Sequence, residues 1–403
     1  MNVEELVRDT FREQATDGAL TPPGFADRVL AVRRRRRTRT IAGAAVATAA
    51  AVAAAVAVPL LDTGGDDVRP ASQMNRSDII AHPDQSPPRD LIAAGDTAVA
   101  AFSTTKQVKQ PNKDKIITRT YSLLDQKTGK YVKDSRWSFV DVAPGMRTAA
   151  VLERELPAKR VGLLDLMTGK VDRWIPVGHG VAGVHFSPDG KKLVATTYAK
   201  NPDRLYWSKR IPVNDTVEPQ SVPSRTGFTV IDVASGKGDW HKAPYWKDEM
   251  GWSPNSRTDF AFNHDGKLLY EQIAMAPGRI YHDFQGKKVP TPADEKHLGW
   301  TDAGLSPDGK LVAGEFSGQG KEISSEITDP LTGKRITKVP GQMLLAWADN
   351  KRIIAWGIIP GTNEFKQQLV LVTVGSDKIV PLSDFRTPKD NTAGRWEPLF
   401  SSR

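Results

Sequence analysis

From about residue 88 onward, short apolar runs alternate with compact polar turns along the whole chain. Apolar runs of this length, bounded by Gly, Pro, Asn or Asp, are typical of β-strands joined by hairpins. The pattern therefore predicts an all-β region over residues 88–403. Its turns fall into two kinds, and each kind recurs.

The first kind of turn has the sequence Ser-Pro-Asp-Gly at residues 187–190 and 306–309, and a looser copy, Asn-His-Asp-Gly, at residues 263–266. Pro presets φ for a type I turn, Asp bonds back to the backbone, and Gly adopts the left-handed conformation. Each copy is predicted to be a hairpin tip. Weaker versions lie at residues 95–96, 144–145 and 349–350, which brings the number to six.

The second kind of turn opens after an apolar strand and continues to a Thr/Ser-Gly-Lys tip. Four copies open at Asp125, Asp165, Asp232 and Asp329, and two degenerate copies, ending in Gly-Lys and Ser-Asp-Lys, open at Asp283 and Thr373. Their spacings of 40, 67, 51, 46 and 44 residues lie near the period of four-stranded propeller blades. The longest interval contains a Pro-rich, charged stretch between Tyr198 and Phe228, which we interpret as an insertion in the third blade.

One unit of strand, tip, strand, loop, strand, tip and strand cannot bury both of its faces, so radial packing of several units is expected. The predicted fold class is all-β, a β-propeller of six four-stranded blades, or of seven if one is poorly marked. Residues 396–400 are predicted either to add a strand to the first blade and close the ring, or to belong to a seventh blade.

Residues 41–61 form an uncharged stretch of 21 residues that contains eleven Ala. As a helix this stretch would span about 30 Å, the thickness of a hydrocarbon core. A cluster of basic residues precedes it: Arg33, Arg34, Arg35, Arg36, Arg37 and Arg39. Asp62, Asp66 and Asp67 follow it. The positive-inside rule then predicts a single-pass membrane protein with a cytoplasmic N-terminus, a linker at 62–87 and an extracytoplasmic propeller at 88–403.

Two other interpretations of residues 41–61 are a buried Ala-rich helix and a cleaved signal peptide with its site at residues 55–57. The long charged region before the stretch favours an uncleaved anchor. The tail at residues 1–40 contains short amphipathic helical patterns that cannot form a core alone. Such patterns either lie on the membrane surface or are completed by a cytoplasmic regulator. The second case resembles anti-sigma factors, although the chain lacks the Cys of their best-known zinc-binding class.

The alternating Ser-Pro-Asp-Gly and Thr/Ser-Gly-Lys tips resemble those of the WD40-like PD40, or TolB-like, propellers over about residues 88–382. With the apolar stretch at 41–61, the whole chain resembles a membrane-anchored actinobacterial member of that group. The resemblance implies a fold more than a function, since such propellers act as binding platforms, peptidase lids and sensor domains.

The formal net charge of +9 is concentrated partly in the Arg cluster, and the rest is a mild surface bias, so no nucleic-acid partner is expected. The chain has no Cys, which excludes disulfides and thiolate sites.

The chain has no GxSxG motif, and the GxGxxG match at residues 178–183 leads into a strand, where a nucleotide site needs a helix. His179 and His185 are separated by Gly residues that are expected to break a strand. We therefore predict no catalytic residues, no cofactor and no metal.

Two features are candidates for contact with a partner. Lys106, Lys109, Lys113 and Lys115 form a basic loop in the first blade, and Tyr206 and Trp207 lie in the insertion of the third. Tyr206 and Trp207 are the stronger candidates, because an insertion need not pack into a blade. The predicted function is a non-enzymatic, extracytoplasmic binding or scaffold protein whose ligand is an unknown protein or cell-envelope component. The alternative is a transmembrane signalling protein whose tail binds a cytoplasmic regulator.

Overall fold

The structure is a computed structural model that describes residues 78–213, 216–244, 257–273, 278–319, 322–359, 362, 364–387 and 395–403. The predicted tail at 1–40 with its Arg cluster, the span at 41–61 and most of the linker at 62–87 lie outside these residues. Among the described residues, no helix is long and apolar enough to cross a membrane. The predicted span and its orientation therefore stay predictions.

The described strands form five hydrogen-bonded sheets, which we divide in chain order into six groups of strands. The first group contains β1 (Ile79–Ile80), β2 (Ala93–Ala94), β3 (Thr97–Lys109), β4 (Lys115–Asp125) and β5 (Lys130–Asp134). The second contains β6 (Trp137–Val142), β7 (Thr148–Glu153), β8 (Ala158–Asp165) and the first half of β9 (Lys170–Phe186). The third contains the rest of β9, β10 (Lys192–Tyr198), the inserted β11 (Arg204–Val213) and β12 (Thr216–Gln220), then β13 (Arg225–Asp232) and β14 (Trp240–Lys242).

Three groups and a final strand complete the fold. The fourth group contains β15 (Phe260–Phe262), β16 (Leu269–Gln272), β17 (Arg279–His282) and β18 (Lys288–Val289). The fifth contains β19 (Val312–Phe316), β20 (Ser324–Thr328) and β21 (Arg335–Pro340). The sixth contains β22 (Met343–Trp347), β23 (Arg352–Gly357), β24 (Gln368–Thr373) and β25 (Ile379–Pro381), and β26 (Trp396–Ser402) ends the chain. Short 3₁₀ turns lie at Pro111–Lys113 and Ala293–Glu295.

The predicted tips occur where the sequence placed them. Residues 187–190 join β9 to β10, and Gly190 has a φ of +69°, which a residue with a side chain rarely adopts. The Asp189 carboxylate accepts hydrogen bonds from the Ser187 hydroxyl (2.5 Å) and the Lys191 backbone N–H (3.0 Å). The predicted all-β fold is confirmed. At residues 187–190, Asp189 and Gly190 have the roles that the composition of the turn predicts.

Five of the eight apolar cores among the described residues join two consecutive groups. The first and second groups share Ala98, Tyr121, Trp137 and Val151, and the second and third share Leu152, Val161, Val184 and Leu193. The third and fourth share Val194, Phe228, Phe260 and Leu269, and the fifth and sixth share Ala313, Ile327, Leu344 and Ile353. The sixth and first share Trp356, Leu369, Val99 and Phe102. The succession of packed sheets thus returns to its start, as in a β-propeller.

Between the fourth and fifth groups, the described residues form a polar contact in place of a shared apolar core. Glu295 is 3% exposed and accepts hydrogen bonds from the Tyr281 hydroxyl (2.7 Å) and the Asn263 side-chain amide (3.0 Å). The Arg279 guanidinium lies 3.6 Å from the same carboxylate. A buried carboxylate with hydrogen-bond partners for both of its oxygens therefore holds the segment between β18 and β19 against the fourth group.

The C-terminal strand completes the first group. β26 runs antiparallel to β3, with Trp396 opposite Thr104 and Ser402 opposite Thr97. Of the two predicted roles for the C-terminal residues, closure onto the first group is the one observed. Neighbouring tips also touch: the Asp96 N–H donates to the Ala348 carbonyl (2.8 Å), and the Asp308 N–H donates to the Asn350 side chain (3.0 Å).

Both kinds of tip lie on one end of the groups, which we call the tip face, because between one tip and the next the chain follows two antiparallel strands joined by one reversal at the opposite end. The turn between β3 and β4 and the insertion between β10 and β13 lie at the opposite end. The chain enters the described fold at the tip face, where the Gly95 N–H donates to the Asp78 carbonyl (2.8 Å).

Candidate binding surface

The insertion of the third group pairs with the first group. Arg204 of β11 lies opposite Ile116 of β4, and Leu205 lies opposite Lys115. The Leu205 side chain packs against Ile117, and both are buried. The sequence predicted the insertion and the basic loop as separate features. The structure joins them in one eight-stranded sheet with the rest of the first group. We call the outer parts of β3 and β4 (residues 105–119) together with residues 199–213 and 216–220 the arm.

Asp203 fixes the arm to the body of the fold. Its carboxylate lies 2.7 Å from the Arg119 guanidinium and 3.3 Å from the Arg257 guanidinium. Arg257 also lies 3.2 Å from Asp259, which accepts a hydrogen bond from the Tyr198 hydroxyl (2.8 Å). Burial alone would raise the pKa of Asp203, but the two arginines hold that pKa below its ordinary value. The start of the insertion is therefore held by buried, ionised groups from the first, third and fourth groups.

Asp114 joins the two halves of the arm a second time. One of its carboxylate oxygens accepts hydrogen bonds from Arg204 at 2.9 and 3.0 Å, and the other accepts the Trp207 backbone N–H at 2.8 Å. The Trp207 N–H and the Arg204 guanidinium lower the pKa of Asp114, so its carboxylate stays charged at neutral pH. Lys115 and Glu218 form a further ion pair at 3.0 Å.

Tyr206 and Trp207 lie on this arm, and both are half-buried. Positive groups cover their rings: the Lys113 Nζ and the Arg210 guanidinium lie 5.4 and 5.3 Å from the Trp207 centroid. Arg204 and Lys200 lie 5.4 and 6.0 Å from the Tyr206 centroid. Sequence reasoning singled out the two aromatic residues but missed the cations around them. Lys113 reaches the Trp207 ring from a segment about 90 residues earlier in the chain, whereas Lys200, Arg204 and Arg210 are near neighbours of the rings in the sequence.

The arm has more positive than negative charge left over after its ion pairs form. Asp114, Asp203 and Glu218 are engaged with Arg204, Arg119, Arg257 and Lys115. In the part of the chain that the structure describes, six exposed cations of the arm have no carboxylate partner: Lys106, Lys109, Lys113, Lys200, Lys209 and Arg210. Clustered charges of one sign raise the local potential and attract ligands of the opposite sign.

The two histidines that the sequence placed on a broken strand lie on one unbroken strand, β9, so the prediction of a break was wrong. Gly residues need not end a strand when neighbouring strands supply its hydrogen bonds. The His179 ring stacks on the Trp240 ring with a centroid distance of 4.1 Å. The His185 ring packs edge-to-face against the Phe139 ring with a centroid distance of 5.6 Å, so the two imidazole rings have different surroundings. Among the described residues no three ligating side chains form a metal cluster. The GxGxxG match lies within this strand and precedes no helix.

Comparison with known proteins gives similarities of fold. No protein-family model and no curated protein matches the sequence. The structure is similar to TolB from Acinetobacter baumannii, with 16% identity over 72% of this chain and 68% of that chain and a TM-score of 0.36. It is also similar to the β-propeller domain of Myceliophteria thermophila Cps50 (Swd1), with 14% identity over 73% and 88% of the two chains and a TM-score of 0.36.

A third similar structure is an oligogalacturonate lyase in complex with manganese. Its identity is 13%, the match covers 74% of this chain and 85% of that chain, and the TM-score is 0.40. At these scores the likeness identifies neither a family nor an activity.

Proposed function

We propose that this chain is a non-enzymatic binding scaffold: a six-bladed propeller, displayed outside the cell by the span at 41–61, that binds an anionic partner through the arm. The observation that carries the proposal is the set of six exposed arm cations that have no carboxylate partner among the described residues. Three of them, Lys113, Lys200 and Arg210, lie over the rings of Trp207 and Tyr206. The positive charges of these side chains repel one another, and a bound anion offsets that repulsion.

The arm suits a binding role because it is held in place before any ligand arrives. Asp203 ties its base to Arg119 and Arg257, and Asp114 ties β4 to β11. A surface whose side chains are already positioned loses less conformational entropy on binding. The rings of Tyr206 and Trp207 keep cations near each other through attraction to their faces.

Display outside the cell is supported by the charge asymmetry around residues 41–61, with six Arg before the stretch and three Asp after it. The alternative function, a tail that binds a cytoplasmic regulator, rests on residues 1–40. The two functions are compatible in one chain, but the tail lies outside the described residues, whereas the arm lies within them.

The test uses the full chain and inorganic polyphosphate as a soluble anionic probe. We expect salt-sensitive binding, because exposed charges are screened by ions. The double variant Lys113→Gln/Arg210→Gln is expected to bind about tenfold more weakly, since it removes two charge contacts in water. The matched control, Lys237→Gln/Lys334→Gln, removes two exposed lysines of the tip face and is expected to bind as the parent does. Equal loss in both variants, or no binding by the parent, would overturn the proposal.

A further inference from the structure

The strand pair β11–β12 presents apolar side chains to solvent on both of its faces. Ile211 is 46% exposed and Val217 is 44% exposed, and Pro212 is also exposed. Pro212 lies opposite Val217, and Ile211 lies opposite Glu218. Because successive residues of a strand point to opposite faces, Ile211 lies on one face and Pro212 and Val217 lie on the other.

This strand pair extends away from the rest of the sheet at its apolar end. β11 pairs with β4 only at Arg204 and Leu205, and β12 pairs only with β11 in the described part of the chain. A single exposed apolar residue on a protein surface is ordinary. Here three of them are grouped beside Lys209 and Arg210, on a projecting ribbon, and that combination indicates a specific environment.

A partner that buries the exposed apolar side chains must cover both faces of the ribbon, and it must be negatively charged to pair with Lys209 and Arg210. A flat protein surface covers one face only, and a soluble polyanion covers neither apolar face. The boundary between lipid headgroups and acyl chains surrounds an inserted ribbon on both sides and carries phosphate at its surface. Trp and Tyr side chains are enriched at that boundary, which fits the positions of Trp207 and Tyr206 nearer the base of the ribbon.

We propose that the arm docks on an anionic lipid surface, with Ile211, Pro212 and Val217 entering the headgroup layer and the arm's cations contacting lipid phosphates. This inference rests on the proposed function, because it names the anionic partner of the same surface. The arm and the entry of the chain at Asp78 lie at opposite ends of β3, about 40 Å apart for 13 residues of strand. Residues 62–77 can extend to at most about 55 Å, so the span at 41–61 does not prevent docking on its own bilayer.

Because the chain has no Cys, a single introduced Cys can be labelled at a chosen position. Thr216→Cys in the full chain is labelled with a polarity-sensitive dye, and Asp377→Cys on the tip face is the matched control. Vesicles of equal parts phosphatidylglycerol and phosphatidylcholine are expected to shift the emission at position 216 to shorter wavelength. Vesicles of phosphatidylcholine alone are expected to have little effect, and position 377 is expected to be unchanged with both. The local readout separates docking of the arm from insertion of the span.

A second variant separates lipid docking from binding of anions in general. Ile211→Ser/Val217→Ser, assayed in the dye-labelled chain, is expected to weaken the apparent affinity for the anionic vesicles about tenfold, through lost apolar burial. Its binding of polyphosphate is expected to be unchanged. Val132→Ser/Ile379→Ser removes two residues of similar exposure, 53% and 49%, elsewhere on the fold and is expected to have no effect on either.

The outcomes distinguish the two proposals. If polyphosphate binds and the dye at position 216 does not respond to anionic vesicles, the lipid inference is overturned and the proposed function stands. If neither probe binds, both are overturned. Unchanged affinity of the Ile211→Ser/Val217→Ser variant would also overturn the inference. The same holds if a single-stranded oligonucleotide binds more tightly than the vesicles at equal salt, because the arm would then serve another class of macromolecule.

Discussion

The Arg119 guanidinium and the Asp203 carboxylate lie 2.7 Å apart, and each side chain is 5% exposed or less. They are 84 residues apart in the sequence, one on β4 and the other at the start of the insertion. Because this pair is buried, the loss of either charge leaves the other without compensation in a medium that solvates it poorly. The position of the arm and the stability of the fold therefore depend on the same contact.

Replacing Asp203 by Asn should destabilise the protein by about 3–5 kcal/mol, because Arg119 and Arg257 would lose a buried counter-charge. Chemical denaturation of the full chain measures the change. Glu153→Gln is the control: its pair with Arg160 lies at 2.7 Å, but the side chains are 43% and 45% exposed. Exposed pairs contribute at most about 1 kcal/mol. A similar loss in both variants would contradict the role given to Asp203.

A second buried pair makes stability depend on pH. Burial would raise the pKa of Glu271, but a hydrogen bond with His282 (2.9 Å) and the charge of Arg225 hold the pKa below its ordinary value of 4.5. A carboxyl group with a lowered folded-state pKa stabilises the protein above its unfolded pKa, and this stabilisation is lost as the pH falls through the folded pKa.

The free energy of unfolding of the parent should therefore decrease as the pH is lowered below about 4.5. Glu271→Gln, which cannot ionise, should be less stable at neutral pH and should lose less stability over the same acid range. Urea unfolding at a series of pH values measures both slopes. Parallel curves for the two proteins would show that Glu271 does not titrate in this range.

The repeated tips could be predicted from the sequence because they are local. Asp189 and Gly190 act within a few residues, through a side-chain hydrogen bond and a positive φ, and their composition is sufficient to mark the turn. Residues 396–400 are also predicted to form a strand, but the sequence does not indicate whether this strand pairs with the first blade or belongs to a seventh.

The arm could not be predicted from the sequence, because β11 could pair with many strand edges and no local pattern indicates which one. Nothing near Arg204 in the sequence indicates that it pairs beside Ile116, since antiparallel pairing depends on three-dimensional proximity. The contact of Lys113 with the Trp207 ring is likewise long-range, because Lys113 lies in the 3₁₀ turn between β3 and β4 and Trp207 lies on β11. Local patterns identify strands and turns, whereas long-range charge pairs determine which of them meet.

The closing strand offers a test of the ring. Trp396 is fully buried and contacts Phe102 and Trp356 at centroid distances of 5.7 and 5.4 Å. Trp396→Ala should cost about 3–5 kcal/mol, because it leaves a large cavity where the sixth group, the first group and β26 meet. Thermal unfolding measures the cost. Trp207→Ala, on the half-buried arm, is the matched control, and a comparable loss there would argue against closure through Trp396.

The predicted orientation of the chain in a membrane rests on the charges on either side of residues 41–61. Exchanging the six Arg of the basic cluster for Glu, and Asp62, Asp66 and Asp67 for Lys, reverses the flanking charge. Because short positive flanks stay in the cytoplasm, the variant should lose outward display of its C-terminal domain. A C-terminal alkaline phosphatase fusion, active only outside the cytoplasm, should be active in the parent and inactive in the variant. Exchanging Lys106, Lys109, Lys113 and Lys115 for Glu also removes positive charge, but more than 40 residues after the span in the sequence, and should leave the reporter active. Activity in all three fusions would show that the flanks do not set the orientation, and inactivity in the parent would refute extracytoplasmic display.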